Sequence, residues 1–172
     1  MSWRLVPADA VVRTGLVVGR VLDRETARAL GRELRRSEAL GMALRALRHR
    51  DYSRSRLETR LAERGNSAAT LEDALETLER VGLVDDSRVS ATRAQELAAR
   101  GFGDAAIRFK LEGEGLTAEV VEEALATLAP ELERAQSLLE RRGRTPRNIR
   151  WLAAKGFDPA TLEDLGAFAD EA

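Results

Sequence analysis

Residues 61–71 read LAERGNSAATL, residues 111–121 read LEGEGLTAEVV, and residues 152–162 read LAAKGFDPATL. The three stretches share one frame. Each opens on an apolar residue (Leu61, Leu111, Leu152), places a glycine four residues later (Gly65, Gly115, Gly156), a polar capping residue two after that (Ser67, Thr117, Asp158), and a second apolar residue at the end (Leu71, Val121, Leu162). Glycine reaches the left-handed conformation that terminates a helix without steric cost. Ser, Thr and Asp side chains accept hydrogen bonds from the free N–H groups that begin the next helix. The frame therefore predicts a helix, a left-handed glycine and a capped helix, three times over, with a third helix linking one unit to the next. A unit whose apolar face cannot be buried alone stacks on its neighbours. The expected fold is all-α: tandem three-helix repeats stacked into an elongated, curved body with a concave side. The repeats are expected over residues 37–86, 87–130 and 131–172, after an N-terminal segment, 1–36, that holds the first helix.

Working outward, most of the remaining chain carries start and stop signals of the same kind. Asp23 offers a cap ahead of Ala27, Leu30 and Leu34, and Ser37 ahead of Leu40, Ala43, Leu44 and Leu47. Ser53 precedes Leu57 and Leu61, and Asp86 precedes a run that stops at Gly101. Pro130 reads as a first-turn proline, and Thr145-Pro146 and Asp158-Pro159 as cap-plus-proline starts. This gives nine or ten helices. The opening segment, Trp3 to Leu22, differs: its valines are interrupted by Pro7 and Gly15, and it reads as loop with one or two short β-like strands.

Composition narrows the function classes. The chain has no cysteine, which excludes disulfides and thiolate chemistry, and a single histidine, His49. Its longest apolar runs are far too short to cross a bilayer, and no signal-peptide pattern opens it, so a cytoplasmic protein is expected. Of its 28 cations, 26 are arginine. Arginine forks onto oxyanions, although a GC-rich genome produces the same bias. The charge is unevenly spread. Between Arg28 and Arg64 there are eleven arginines against five acids, and between Glu140 and Lys155 six cations against one acid. Such patches attract phosphates or acidic protein surfaces in a salt-dependent way, or form ordinary solvated helix faces.

The order of several short motifs resembles the RecX family of recombination regulators. The first repeat of that family is similar to Ala43-Leu44-Arg45-Ala46-Leu47, Arg50-Asp51-Tyr52-Ser53, Leu57, Leu61 and Gly65. Its turn into the second repeat resembles Gly82-Leu83-Val84-Asp85-Asp86-Ser87-Arg88. The second and third repeats resemble Arg100-Gly101-Phe102-Gly103 with Ile107, Leu111, Gly115 and Leu116, and Ala154-Lys155-Gly156-Phe157. The likeness runs from Ser37 to Asp170. Val89 and Ser90 depart from it, standing where the family carries an aromatic and a small residue. What the resemblance implies is a regulator without an active site or cofactor that binds along the filament of RecA recombinase on single-stranded DNA. It would modulate ATP hydrolysis and strand exchange, in the inhibiting direction.

The residues themselves offer little catalytic chemistry. Asp85-Asp86 at a helix start reads as cap and first-turn charge. His49 stands between Arg48 and Arg50 with no nucleophile beside it. Gly101 and Gly103 lack the third glycine and the strand that a dinucleotide turn needs. The candidate partner-binding residues are therefore arginines: Arg45, Arg48, Arg50, Arg56, Arg60 and Arg64 in the first patch, and Arg144, Arg147 and Arg150 in the second. Trp151 beside the second patch offers a stacking surface, or part of the core. The expected partners are the RecA filament and single-stranded DNA, reached directly or through the filament, with the protein a monomer and no membrane involved. The alternative is a helical-repeat module that binds single-stranded nucleic acid through its arginines alone. An enzyme ranks third, since it needs titratable groups converging in a cleft.

Overall fold

A computed structural model describes residues 5–19 and 21–167. Trp3 and Asp170, at the edges of two sequence readings, lie outside them. Among the described residues there are ten helices and no strand: α1 (Ala8–Thr14), α2 (Arg24–Leu47), α3 (Arg54–Ala62), α4 (Ala68–Arg80), α5 (Asp86–Ala99), α6 (Asp104–Glu112), α7 (Ala118–Ala126), α8 (Glu131–Arg142), α9 (Pro146–Ala154) and α10 (Pro159–Ala167). The expected all-α helical repeat is what the chain adopts. It divides into two compact units, the first ending at Asp85 and the second beginning at Asp86.

The local signals of the repeat act as their chemistry requires. Gly65, Gly115 and Gly156 all have left-handed φ, at 83°, 77° and 82°. Ser67 Oγ accepts from Thr70 N–H, and Thr117 Oγ1 from Val120 N–H. Five of the six apolar residues that frame these turns are buried: Leu61 and Leu71 pack in one cluster with Leu57, Leu75 and Leu78, Leu111 and Val121 in a second, and Leu152 in a third with Leu139 and Phe157, against which the sixth, Leu162, packs partly buried. Each fully buried leucine contributes roughly 1.5–3 kcal/mol. The two residues that depart from the family pattern are both buried, and Ser90 Oγ donates to Val120 O at 3.2 Å, so α5 is pinned to α7 by a polar contact.

Two sequence expectations are corrected. Residues 8–14 are a helix rather than part of a strand. Pro7 sits at its N-cap with φ −58°, Gly15 closes it in the left-handed region, and Ala10 is fully buried, in a helix that packs on α2. Docking of that small face outweighs the strand preference of Val11 and Val12. The described residues between Gly15 and Leu22 form no strand either, and Val17, Val18 and Val21 are exposed. Ser37, expected to cap a helix, lies instead in the middle of α2, whose real cap is Asp23, accepting from Thr26 N–H at 2.7 Å. No proline or left-handed glycine separates residues 24 and 47, so the helix continues through Gly31 and Gly41. Its midpoint is tied to α4 by Arg36, which donates to Thr77 Oγ1 at 2.7 Å. Smaller offsets occur at Asp86, which is the first helical residue of α5, and at Pro130, which precedes the first turn of α8.

Within the second unit, the turn before α6 rests directly on the turn before α10. Gly103 N–H donates to Lys155 O at 3.0 Å and Ala105 N–H to Gly156 O at 3.2 Å. The backbones approach so closely that a Cβ on Gly103 would overlap Gly156 O and Phe157 N, and one on Gly156 would lie 2.5 Å from Ala106 Cβ. Gly103 has no side chain with which to cap α6. Glu131 supplies the missing acceptor: its Oε1 accepts from Asp104 N–H at 2.6 Å, while its Oε2 accepts from Asp158 N–H at 3.0 Å and from the Thr161 hydroxyl at 3.2 Å. One carboxylate thus serves the first turns of α6 and α10. Arg134 pairs with Asp104 and donates to Phe102 O at 3.1 Å. Burial pushes the Asp104 carboxyl above its usual range, with Glu131 adding to the effect and Arg134 opposing it.

This packing predicts unequal costs for two glycine substitutions. Gly65→Ala places a side chain in a left-handed residue with open space around it and is expected to cost about 1–2 kcal/mol. Gly103→Ala, at an ordinary φ of −80°, must separate two backbones and is expected to cost about 3 kcal/mol. Urea unfolding of both variants checks the order; equal costs would mean that the turn-on-turn contact contributes nothing.

Candidate functional site

The first unit gathers most of the first arginine patch around the passage from α2 to α3. Leu47 ends α2, Arg48 caps it, and the chain crosses to Ser53, whose Oγ accepts from Arg56 N–H at 3.3 Å and starts α3. In this crossing Tyr52 is buried in the first core cluster. The Arg50 guanidinium lies over its ring at 4.4 Å and that of Arg60 at 5.7 Å. Beside it, Arg45, Arg60 and Arg64 line one groove of about 250 Å³, floored by Met42, Ala46 and Leu61 and joined by His49. Arg45 and Arg64 also border a larger groove of about 610 Å³ that reaches Leu34 and Arg35. Arg45, Arg48, Arg50, Arg56, Arg60 and Arg64 are all exposed. Arg54, in the same stretch of sequence, is different. It is held by Glu58 at 3.7 Å and by Glu72 and Glu79 at 2.8 Å each, and its hydrogen bond to Glu72 raises its pKa.

The second patch is less tightly drawn together. Arg144, Arg147 and Arg150 are exposed on the α8–α9 connection and on α9, where Thr145 Oγ1 accepts from Asn148 N–H and the Asn148 amide donates to Arg142 O and Gly143 O. No described ion pair or ring contact joins these three arginines. The structure instead collects other cations near them. Arg142 lies 4.2 Å over the Trp151 ring, and Lys155 lies 5.7 Å from the same ring and 4.2 Å over Phe102. Arg100 and Lys110 approach Phe102 as well, at 5.5 and 4.9 Å. Trp151 is partly buried against the third core cluster. Phe102, Arg100 and Lys110 are not among the partner-binding residues expected from the sequence, where Arg100 and Phe102 stand only as part of a repeat motif. The available signal was the recurrence of a cation, glycine and phenylalanine at residues 100–102 and 155–157.

Among the described residues, no group of three or more His, Asp or Glu side chains is placed to hold a metal ion, and no helix is long and apolar enough to cross a membrane. Asp85 and Asp86 stand at the start of α5.

Comparison with known proteins places this arrangement. The chain is 40% identical over 125 residues to the regulatory protein RecX of Chromohalobacter salexigens, covering 67% of this chain and 82% of the relative. It is 40% identical over 138 residues to that of Thermus thermophilus, covering 78% and 94%, and 30% identical over 156 residues to that of Xanthomonas oryzae pv. oryzae, covering 85% and 98%. The chain belongs to the RecX family. No protein-family model matches it. Two solved RecX structures share the fold: a crystal structure of regulatory protein RecX, with a TM-score of 0.80 at 21% identity over 94% of this chain and 86% of that one, and RecX from Lactobacillus salivarius, with 0.69 at 17% identity over 80% and 98%. Membership of RecX assigns the chain to a family of regulatory proteins rather than to an enzyme family.

The first patch carries a spectroscopic prediction, because Tyr52 is the one tyrosine of the chain. A hydrogen bond from Arg50, with the charges of Arg50, Arg60 and Arg56, holds its hydroxyl below the usual tyrosine value, against burial, which raises it. The phenol is protonated in both folded and unfolded chains at neutral pH, so the shift adds no stability there. As pH rises past the lowered folded value, the folded chain loses its proton first and gains stability relative to the unfolded chain until the ordinary value, about 10, is passed. Alkaline absorbance titration should place the midpoint below that of free tyrosine, and Arg50→Ala should raise it. An unchanged midpoint in the variant would remove Arg50 from the ring.

Proposed function

We propose that this RecX-family chain is a non-catalytic regulator that docks on the filament of RecA recombinase on single-stranded DNA and lowers its ATP hydrolysis and strand exchange. It acts as a monomer in the cytoplasm and needs no cofactor. The reading rests on family membership and on one observation. Arg45, Arg60 and Arg64 converge on a single groove without a carboxylate partner among the described residues, whereas Arg54 beside them is fully engaged. Unneutralised cations on an exposed face attract a polyanion over about 10 Å at 0.1 M salt, and a nucleoprotein filament presents phosphates along its whole length. The remaining members of the patch, Arg48, Arg50 and Arg56, extend that face. Arg144, Arg147 and Arg150 supply a second area of contact from the other unit.

The test is the ATPase rate and strand exchange of the cognate RecA on single-stranded DNA, titrated with this protein at two salt concentrations. Inhibition well below one molecule per recombinase, weakened by salt, is expected. Replacing Arg45, Arg60 and Arg64 together by Glu should raise the half-inhibiting concentration roughly tenfold or more, and the corresponding change at Arg144, Arg147 and Arg150 measures the share of the second patch. Absence of any effect at stoichiometric excess of the wild-type chain would overturn the proposal.

A further inference from the structure

The two grooves of the first unit share Met42, Arg45 and Arg64, and so form one continuous channel along α2. Its α2 side runs from Leu34 to His49, about 22 Å at the rise of an α-helix. The floor is apolar: Leu34, Met42 and Ala46 come from one stripe of α2, and Leu61 from α3. The rims are cationic. Arg35 and Arg45 stand on α2, Arg60 on α3 and Arg64 in the turn after it, and all four are exposed. A cationic surface that only repels its like needs no such floor. Apolar area left open between charged rims is the form of a surface that buries side chains of a partner.

Gly41 adds a second observation. It lines the channel in the interior of α2, a helix of 24 residues. Apart from proline, glycine is the least favourable residue in a helix interior, and here the chain itself does not require it. Its φ is not left-handed, and a Cβ would meet only the tip of the flexible Arg45 side chain, at an ordinary 3.5 Å. No element of this chain fills the space of the missing side chain. What the glycine provides is room for close approach from outside, directly beneath the Arg45 guanidinium.

We infer that this channel docks an acidic amphipathic segment of a partner protein, bound as a short helix whose apolar stripe lies on the floor and whose flanking carboxylates meet the arginine rims. This names the chemistry that the first patch recognises, and it rests on the proposed function for the place of contact only. Helix-in-groove recognition needs apolar anchors at i, i+3 or i+4 and i+7, and a channel of this length accommodates three turns. Arginine forks bind carboxylates bidentately, and the thioether of Met42 adapts to the shape of an entering side chain. Two features favour a peptide over a phosphate backbone. Among the described lining residues there is no aromatic ring on which a base could stack; Tyr52, close by, is buried with Arg50 and Arg60 over its face. Glu38 also borders the channel. A segment with discrete carboxylates can set an uncharged residue opposite it, whereas a backbone charged at every step cannot.

The experiment is fluorescence anisotropy of a fluorescein-labelled peptide of three helical turns, with leucines on one face and glutamates on both flanks, titrated with the full chain. Wild type is expected to bind it saturably. A peptide of the same composition with its leucines dispersed around the helix should bind at least about tenfold more weakly, because charge alone does not fill the floor. Gly41→Leu removes no charge and supplies a better helix former, so it should keep the fold while blocking the floor and weakening the peptide roughly tenfold or more. Should Gly41→Leu lose its helical circular dichroism, the two peptides on wild type decide the matter. The inference is overturned if wild type does not bind the amphipathic peptide, if the dispersed peptide binds equally, if folded Gly41→Leu binds as wild type does, or if oligo-dT displaces the peptide better than unlabelled peptide at equal charge. The assay contains no recombinase. Peptide binding without inhibition of RecA would overturn the regulator and leave the channel assigned, and inhibition without peptide binding would do the reverse.

Discussion

A nine-residue helix does not persist alone in water, and α3, α6, α7, α9 and α10 are each nine residues long. Isolated helices shorter than about 12–15 residues are marginal even with favourable sequences. Every one of these elements therefore depends on having its ends satisfied and one face buried. The left-handed glycines meet both needs, since they let the following N–H groups return to the end of one helix and turn the chain so that the next covers the same apolar cluster. Where a glycine is needed for close approach and cannot cap, as at Gly103, a distant carboxylate takes over the task. Glu131 does so for two helices at once. The scaffold is built from contacts directed inward and along the turns, which leaves the outer faces free to carry charge.

The parts of this plan that are local were legible. A glycine, a cap and an apolar pair within eleven residues fix the geometry of a turn wherever the turn sits, and Gly65, Gly115 and Gly156 behave alike for that reason. The misreadings occurred where local signals compete with packing. Ser37 resembles a cap, yet nothing around it breaks the helix, so a side chain suited to begin an element lies in the middle of one. The valines at 11 and 12 prefer a strand, yet seven residues between Pro7 and Gly15 form a helix because Ala10 is fully buried. Glu131 was invisible in this sense, since the groups it caps are 27 residues away on either side.

The candidate sites divide in the same way. Arg56 and Arg60 stand at the four-residue interval that places side chains on one helical face, so their proximity could be anticipated, whereas Arg64 lies in the turn beyond α3 and meets Arg60 and Arg45 only through packing against α2. Arg54 could not be told apart from them, because its three carboxylates lie one turn on along α3 and on α4. The convergence of Lys110 and Lys155 on Phe102 follows from the contact of two turns more than fifty residues apart, and no spacing in the sequence announces it.

These two fates of a cation, paired or ring-held, bear on how a chain of net charge −1 can act on a polyanion. Net charge averages over pairs that have already cancelled. Arg54, Arg93 and Arg108 are examples: a hydrogen bond to a carboxylate is the main cause of the raised pKa in each, and what such pairs contribute to stability at a surface is small, about 0–1 kcal/mol. Their larger effect is to remove those charges from the field that a ligand meets. A cation over an aromatic ring keeps its field, and it has already lost part of the side-chain freedom, worth up to about 2 kcal/mol for lysine or arginine, that would otherwise be lost on binding. Ring-held and groove-gathered cations are thus prepared for an anion in a way that paired ones are not. On the function proposed above, the distinction between them, more than the number of arginines, marks the faces expected to meet a partner.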